Sequence, residues 1–157
     1  MTFRIVPLPA STIAPLLMMD DTALAAHRAR WVIADSKPGF PCRVSLEDAE
    51  PGERVLLLHH VHQHAETPFR ASHAIYVRER AQEADPACGA VPALFLHRTL
   101  SLRGFDADGM MLTADLTPGR DLAERIEAMF ADPAIAEIHL HYAAPGCFAA
   151  RAIRVSA

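Results

Sequence analysis

Cysteine and lysine are both scarce in this chain. Its three cysteines, Cys42, Cys88 and Cys147, are an odd number without CxxC spacing, so neither a disulfide framework nor a zinc ribbon is predicted. Lys37 is the only lysine and the net charge is -4, which argues against a nucleic-acid partner because such binding needs a concentrated basic face. No apolar run approaches the about 20 residues that span a bilayer, so we expect no membrane partner.

Familiar catalytic and targeting motifs are missing as well. The sequence contains no glycine-rich phosphate loop, HExxH, GxSxG or dinucleotide fingerprint, so none of the enzyme classes that these motifs mark is supported. The first residues, MTFRIVPLPAS, lack the long apolar core of a signal peptide. We therefore expect a reduced cytoplasmic protein, and the sequence identifies no cofactor.

The composition is that of an ordinary folded protein. Of 157 residues, 51% are hydrophobic and 22% are charged, and a chain of this length buries a core without help from disulfides or a structural metal. We expect residues 1–157 to form a single domain.

Short stretches of alternating apolar and polar residues predict an α+β fold. Helices are predicted after Ser11, over residues 22–30 and over residues 121–130, where the apolar residues recur at helical spacing. Strands are predicted at residues 3–6, 43–46, 55–58, 74–78, 94–105 and 110–116, with Asp106 to Gly109 as a hairpin turn. The expected architecture is a mainly antiparallel sheet of five to seven strands with two or three helices on one face.

The stretch from His139 to Val155 is predicted to be a second hairpin with chemistry at its turn. Strand periodicity places His139 and His141 on one face, and Ala144-Pro145-Gly146 breaks the chain before Cys147. Whether Cys147 faces the histidines depends on the pairing register, because a slip of one residue turns every side chain to the other face.

A histidine-rich run, HHVHQHAE, is the first candidate site. On an extended chain His60, His62 and His64 share a face, with Glu66 close by, and imidazoles at this spacing bind zinc, nickel, copper or iron. The run partly resembles the first cupin motif, but the other cupin elements are missing. The competing interpretation is a solvated strand end that happens to be rich in histidine, so we assign no metal.

Thiols beside cations form the second candidate site. Cys42 adjoins Arg43, and Cys147 follows His141 in the predicted hairpin. A nearby cation lowers the pKa of a thiol and makes it a nucleophile, so Cys147, Cys42 and His141 are candidate catalytic residues. The alternative is that these cysteines are small buried hydrophobes.

Arginines provide candidate anion-binding groups. Arg98 is in phase with apolar Leu96, Leu100 and Leu102, whereas Arg103 lies on the opposite face. A guanidinium on an apolar face needs a carboxylate of the protein or an anionic ligand. If Arg43, Arg98 and Arg103 converge, with His139 nearby, they predict a pocket for a carboxylate or a phosphate.

Two segments, PGFPCRVSLEDAEPGE (Pro38 to Glu53) and HYAAPGCFAAR (His141 to Arg151), resemble a bacterial family described only as a domain of unknown function. Residues 68–72 and 75–79 are similar to its middle segment. The resemblance covers most of the chain after about residue 35 and implies that Cys42, Arg43, His141 and Cys147 are better candidates than the histidine-rich run. It implies no reaction.

Three function classes follow from these observations. The first is a small bacterial protein that binds a small anion in a pocket near Cys42/Arg43 and His141/Cys147. The second is a thiol-dependent or metal-dependent enzyme, and the third is a non-catalytic homodimer joined through an exposed strand edge.

Overall fold

The computed structural model describes residues 2–155, and in this range the chain forms eight strands and four helices. The strands are β1 (Thr2–Val6), β2 (Ala29–Ile33), β3 (Arg54–Gln63), β4 (Ala71–Arg78), β5 (Thr99–Phe105), β6 (Met111–Pro118), β7 (Glu137–Tyr142) and β8 (Phe148–Val155). The helices are α1 (Ala10–Leu17), α2 (Asp21–Ala26), α3 (Ala93–Leu96) and α4 (Leu122–Phe130). No helix in the described range is long and apolar enough to cross a bilayer.

The strands form two antiparallel sheets, so the predicted α+β class is confirmed. The order is β1-β8-β7-β5-β6 in the five-stranded sheet and β2-β3-β4 in the three-stranded sheet. The five-stranded sheet falls within the predicted five to seven strands. The separate three-stranded sheet was not predicted, because periodicity shows that a segment is extended but not which neighbour it pairs with. The predicted strand at residues 43–46 is instead a turn, flanked by isolated bridges at Pro41 and Cys42.

Contacts divide the chain into two compact units. The first comprises Met1–Val6, Val61–Ser72 and Asp85–Ala157, and the second comprises Pro7–His60 and His73–Ala84. The described residues form four helices, two in each unit, rather than the predicted two or three, and these helices are not clearly on one face. A single domain over residues 1–157 stays a prediction.

The five-stranded sheet of the first unit has two chemically different faces. Paired residues of adjacent antiparallel strands project to the same side, so the pair Leu102 and Leu140 lies on one face. That face meets helix α4, because a Cβ built on Gly104 would lie 3.2 Å from the Met129 methyl carbon. Arg103 and its partner His139 project from the opposite face.

Both predicted hairpins of the first unit are confirmed. Strands β5 and β6 pair across the turn that contains Asp106 to Gly109, and β7 and β8 pair across the turn that contains Pro145 and Gly146. The N–H of Gly146 donates to the Tyr142 carbonyl at 2.8 Å, and Gly146 has φ +75, a conformation that glycine adopts without steric cost. The turn residues thus fix how the histidine-bearing strand β7 meets β8.

The three-stranded sheet of the second unit packs with its helices around an apolar core. Strand β3 is central, as its unbroken apolar run predicts, and Leu56 contributes to a core that also contains Leu24 and Ile75. Helix α2 is capped by Asp20, which accepts from the N–H of Ala23 at 2.8 Å. The helix predicted over residues 22–30 therefore begins one residue earlier, at Asp21, and it ends at Ala26.

An ion pair in the second unit makes its stability depend on pH. Arg78 donates to Oε1 of Glu53 through Nη2 at 2.8 Å and Nε at 3.1 Å, and these bonds hold the pKa of Glu53 below 4.5. The pair contributes about 1 kcal/mol, present above that value and lost as pH falls through the folded pKa. Glu53→Gln should destabilise the protein at pH 7, and this destabilisation should shrink as the pH falls below 4.5, as measured by urea unfolding. The control Glu66→Gln removes a carboxylate whose side chain is 88% exposed, and it should leave the free energy of unfolding unchanged over the same pH range. A destabilisation by Glu53→Gln that does not depend on pH would contradict this account.

Candidate metal centre

Three imidazoles from distant parts of the sequence meet on the polar face of the five-stranded sheet. His139 and His141 belong to β7, and His62 lies near the end of β3. One ring nitrogen of each lies within 4.8 Å of one ring nitrogen of each of the others. His139 and His141 are almost completely buried, whereas His62 is partly exposed.

The ring of His139 is oriented by a carboxylate. Its Nε2 lies 2.9 Å from Oε1 of Glu137, whose other oxygen lies 3.3 Å from Nη1 of Arg151. The hydrogen bond to His139 holds the pKa of Glu137 below its ordinary value. Burial acts in the opposite direction, and the charge of Arg151 lowers the pKa further. Because a carboxylate only accepts, Nε2 carries a proton in this hydrogen bond, so Nδ1 is the nitrogen of this ring that can offer a lone pair to a cation. Nδ1 is buried and has no hydrogen-bond partner among residues 2–155.

The ring of His141 is oriented by the hairpin turn. Its Nδ1 lies 3.0 Å from the carbonyl oxygen of Gly146, so Nδ1 donates and the lone pair sits on Nε2. Burial lowers the pKa of His141 to about 3, and the charge of Arg103 acts in the same direction, so the ring is neutral at pH 7. Nε2 is also buried, without a hydrogen-bond partner in the described part of the chain.

Aromatic rings enclose the three histidines. The Phe148 ring is stacked on His62, with centroids 5.3 Å apart, and lies 5.9 Å from His141. Phe105 contacts His139 at 4.7 Å. Phe148 is the residue paired with His141, which answers the question of register: Phe148 occupies the position opposite His141 on β8, and Cys147 precedes the strand.

A cleft opens beside the cluster. It measures about 250 Å³ and is lined mainly by His62, Phe69, Arg70, Arg103, Phe105 and Met111. Arg70 donates to Glu66 at 2.7 Å and to the His64 carbonyl at 2.5 Å. Arg103 is half-buried and has no hydrogen-bond or ion-pair partner among the described residues. Burial alone lowers its pKa, with no carboxylate acting against it.

The histidine-rich run contributes only His62 to this cluster. His60, His64 and Glu66 are outside the one group of metal-ligating side chains found in residues 2–155. His64 is exposed and follows the end of β3. The sequence made these three residues, with His62, weak candidates without assigning a metal to them, and that hypothesis stays untested.

The predicted thiol and arginine sites are distributed between the two units. Cys42 and Arg43 belong to the second unit, and Cys147, His141 and Arg98 belong to the first, so a pocket shared by all of them stays a prediction. These side chains nevertheless have defined surroundings, which bear on the roles predicted for them.

Cys42 is fully buried in the apolar core of the second unit, and its sulfur accepts from the backbone N–H of Ser45 and Arg78. Cys147 is 8% exposed. Arg98 donates to the Leu94 carbonyl and lies over the Tyr142 ring at 5.5 Å. A catalytic role for either thiol, and a ligand-binding role for Arg98, remain predictions.

Glu137 and Phe148 were missed as site residues from the sequence. Glu137 precedes His139 by two positions, so strand periodicity places both side chains on one face, and this spacing was available as a signal. The role of Phe148 depends on the irregular register between β7 and β8 at Leu140/His141, which has no clear sequence signature.

The fold and the site together define an α+β protein with a cluster of three histidines, two of which are almost completely buried. The chain belongs to the family described as "Protein of unknown function (DUF1203)", whose profile matches residues 39–154. This match confirms the resemblance drawn from Pro38 to Glu53 and from His141 to Arg151, and its range includes all three histidines. No curated protein and no solved structure matches the chain.

Proposed function

We propose that this chain binds a divalent transition metal through His62, His139 and His141. The observation that carries the proposal is the pair of buried, unpartnered ring nitrogens on His139 and His141. A buried acceptor without a donor costs about 1–3 kcal/mol, and a cation bound by both nitrogens removes that cost twice.

The surroundings of the cluster support this proposal. Histidines that ligate metals usually donate their other ring N–H to a carboxylate or a backbone carbonyl, which fixes the tautomer. Here Glu137 and the Gly146 carbonyl accept those bonds. The two rings are therefore held with their lone pairs directed away from the groups that orient them.

Metal binding requires the three nitrogens to come closer together. With zinc–nitrogen bonds of about 2.0–2.1 Å in tetrahedral geometry, the ligand nitrogens lie roughly 3.4 Å apart, whereas the nitrogens of this cluster lie within 4.8 Å of one another. His62 is the least buried of the three histidines, so we expect its ring to move most.

Three imidazoles suit zinc, copper, iron and nickel, and a zinc ion with three protein ligands keeps a fourth position for water or substrate. Such an ion lowers the pKa of its bound water and polarises carbonyl groups. The geometry therefore favours the metal-dependent alternative among the enzyme hypotheses, with the bound metal as its first requirement.

Titration of metal-free, untagged protein with cobalt(II) tests the metal site. The wild type should bind one equivalent and develop the visible absorption bands of a four-coordinate ion. His141→Phe and, separately, His139→Phe should weaken binding more than about 100-fold, because even the loss of a group that orients a ligand costs about 10–100-fold. Glu137→Ala, which removes the carboxylate that orients His139, should weaken cobalt binding by about 10–100-fold.

The matched control is the double variant His60→Gln/His64→Gln, which removes two histidines of the same run and spares the cluster. It should bind cobalt like the wild type, with unchanged circular dichroism in all variants. Failure of the wild type to bind, or loss of binding in this control with retention in His139→Phe and His141→Phe, would overturn the proposal.

A further inference from the structure

Arg103 is the charged group in the cleft that the protein itself leaves unpaired. Among residues 2–155 its guanidinium has no hydrogen-bond or ion-pair partner, whereas Arg70 in the same cleft is bound to Glu66. A half-buried guanidinium has lost part of its hydration, and that loss is recovered when an anion accepts its hydrogen bonds.

The position of Arg103 relates this charge to the histidine cluster. Arg103 is the β5 partner of His139 on β7, so both side chains project from the same face of the sheet. Arg103 also shares the cleft with His62. The lining of the cleft therefore includes one imidazole of the histidine cluster and an unpaired cation.

The size and lining of the cleft limit what it holds. Its volume of about 250 Å³ is below the range of roughly 300–1,000 Å³ that accommodates drug-sized ligands. Phe69, Phe105 and Met111 supply apolar walls. These features fit a small molecule with one anionic group and an apolar body.

We propose that the cleft binds a small organic acid through its carboxylate group. The carboxylate would ligate the metal at the open position and would also pair with the guanidinium of Arg103. The inference rests on the proposed metal centre. Arginine suits this role because its planar fork of donors matches the two oxygens of a carboxylate. The predicted anion site is thereby assigned to Arg103 and the histidine cluster of the first unit.

Benzoate and its neutral isostere benzamide are the probes, added to the cobalt-loaded wild-type protein. Benzoate should shift the visible cobalt spectrum, and calorimetry should show it binding at least about tenfold more tightly than benzamide, because a hydrogen bond to a charged group is worth more than one to a neutral group. Arg103→Gln should weaken benzoate about tenfold or more and leave one equivalent of cobalt in place. Arg120→Gln, which removes an exposed positive charge whose side chain is 78% accessible, should leave benzoate affinity unchanged.

Metal content measured in the same samples separates the two proposals. If the wild type binds one equivalent of cobalt but does not respond to benzoate, the carboxylate site is overturned and the metal centre stands. The same conclusion follows if the wild type and Arg103→Gln bind benzoate with equal affinity. Absence of bound cobalt from the wild type overturns both. Equal affinity for benzamide and benzoate overturns the role of charge, and with it the carboxylate proposal.

Discussion

Zinc in excess is expected to raise the thermal midpoint of unfolding of the wild-type chain by about 10 °C. A ligand that binds only the folded state stabilises it by about 4 kcal/mol when its free concentration is 1,000 times the dissociation constant. For a chain of about 150 residues, each kcal/mol shifts the midpoint by roughly 2–4 °C. The cluster exists only when β3 and β7 are folded, so the unfolded chain lacks the high-affinity site and binds zinc through separate histidines.

Calorimetric melting with and without zinc measures this shift, and the double variant His139→Phe/His141→Phe supplies the comparison. Phenylalanine keeps a ring of similar size against Phe105 and Phe148 while removing both unpartnered nitrogens, so the variant should fold and its midpoint should be nearly independent of zinc. An equal shift in wild type and variant would assign the effect to zinc bound elsewhere among the nine histidines.

Local pattern predicted the two histidines that strand β7 contributes to the proposed metal site. The alternation of residues 137–142 places His139 and His141 on the same face, and Pro145 and Gly146 mark the turn that orients His141. These features depend on neighbours within a few residues. They were therefore available from the sequence, although the histidines were assigned there to catalysis and ligand binding rather than to a metal.

The third histidine could not be chosen by pattern. Period-2 spacing makes His60, His62 and His64 equivalent on an ideal strand, but β3 ends at Gln63, and only His62 of the run joins the cluster. The selection of His62 depends on how the end of β3 meets β7 within the first unit. Such long-range packing is not encoded in the spacing of the run.

The environments of the arginines were equally hidden in the sequence. Arg43 and Arg103 were both candidates for anion binding, yet Arg43 is 1% exposed and donates to the Pro41 carbonyl at 2.5 Å. Arg103 borders a cleft and lacks a partner in the described residues. Whether a guanidinium binds its own backbone or remains available to a ligand depends on chain segments that lie close only after folding.

Arg43→Ala should therefore act on stability, with a loss of about 3 kcal/mol or more. Arg43 is among the largest fully buried side chains, and its truncation leaves a cavity and removes a donor from the part-buried Pro41 carbonyl. Arg103→Ala should change the free energy of unfolding by less than about 1 kcal/mol, since it breaks no such bond. Urea unfolding of the two variants measures both effects. If Arg43→Ala were as stable as the wild type, its guanidinium would not support the second unit, and its candidacy as an anion-binding group would regain force.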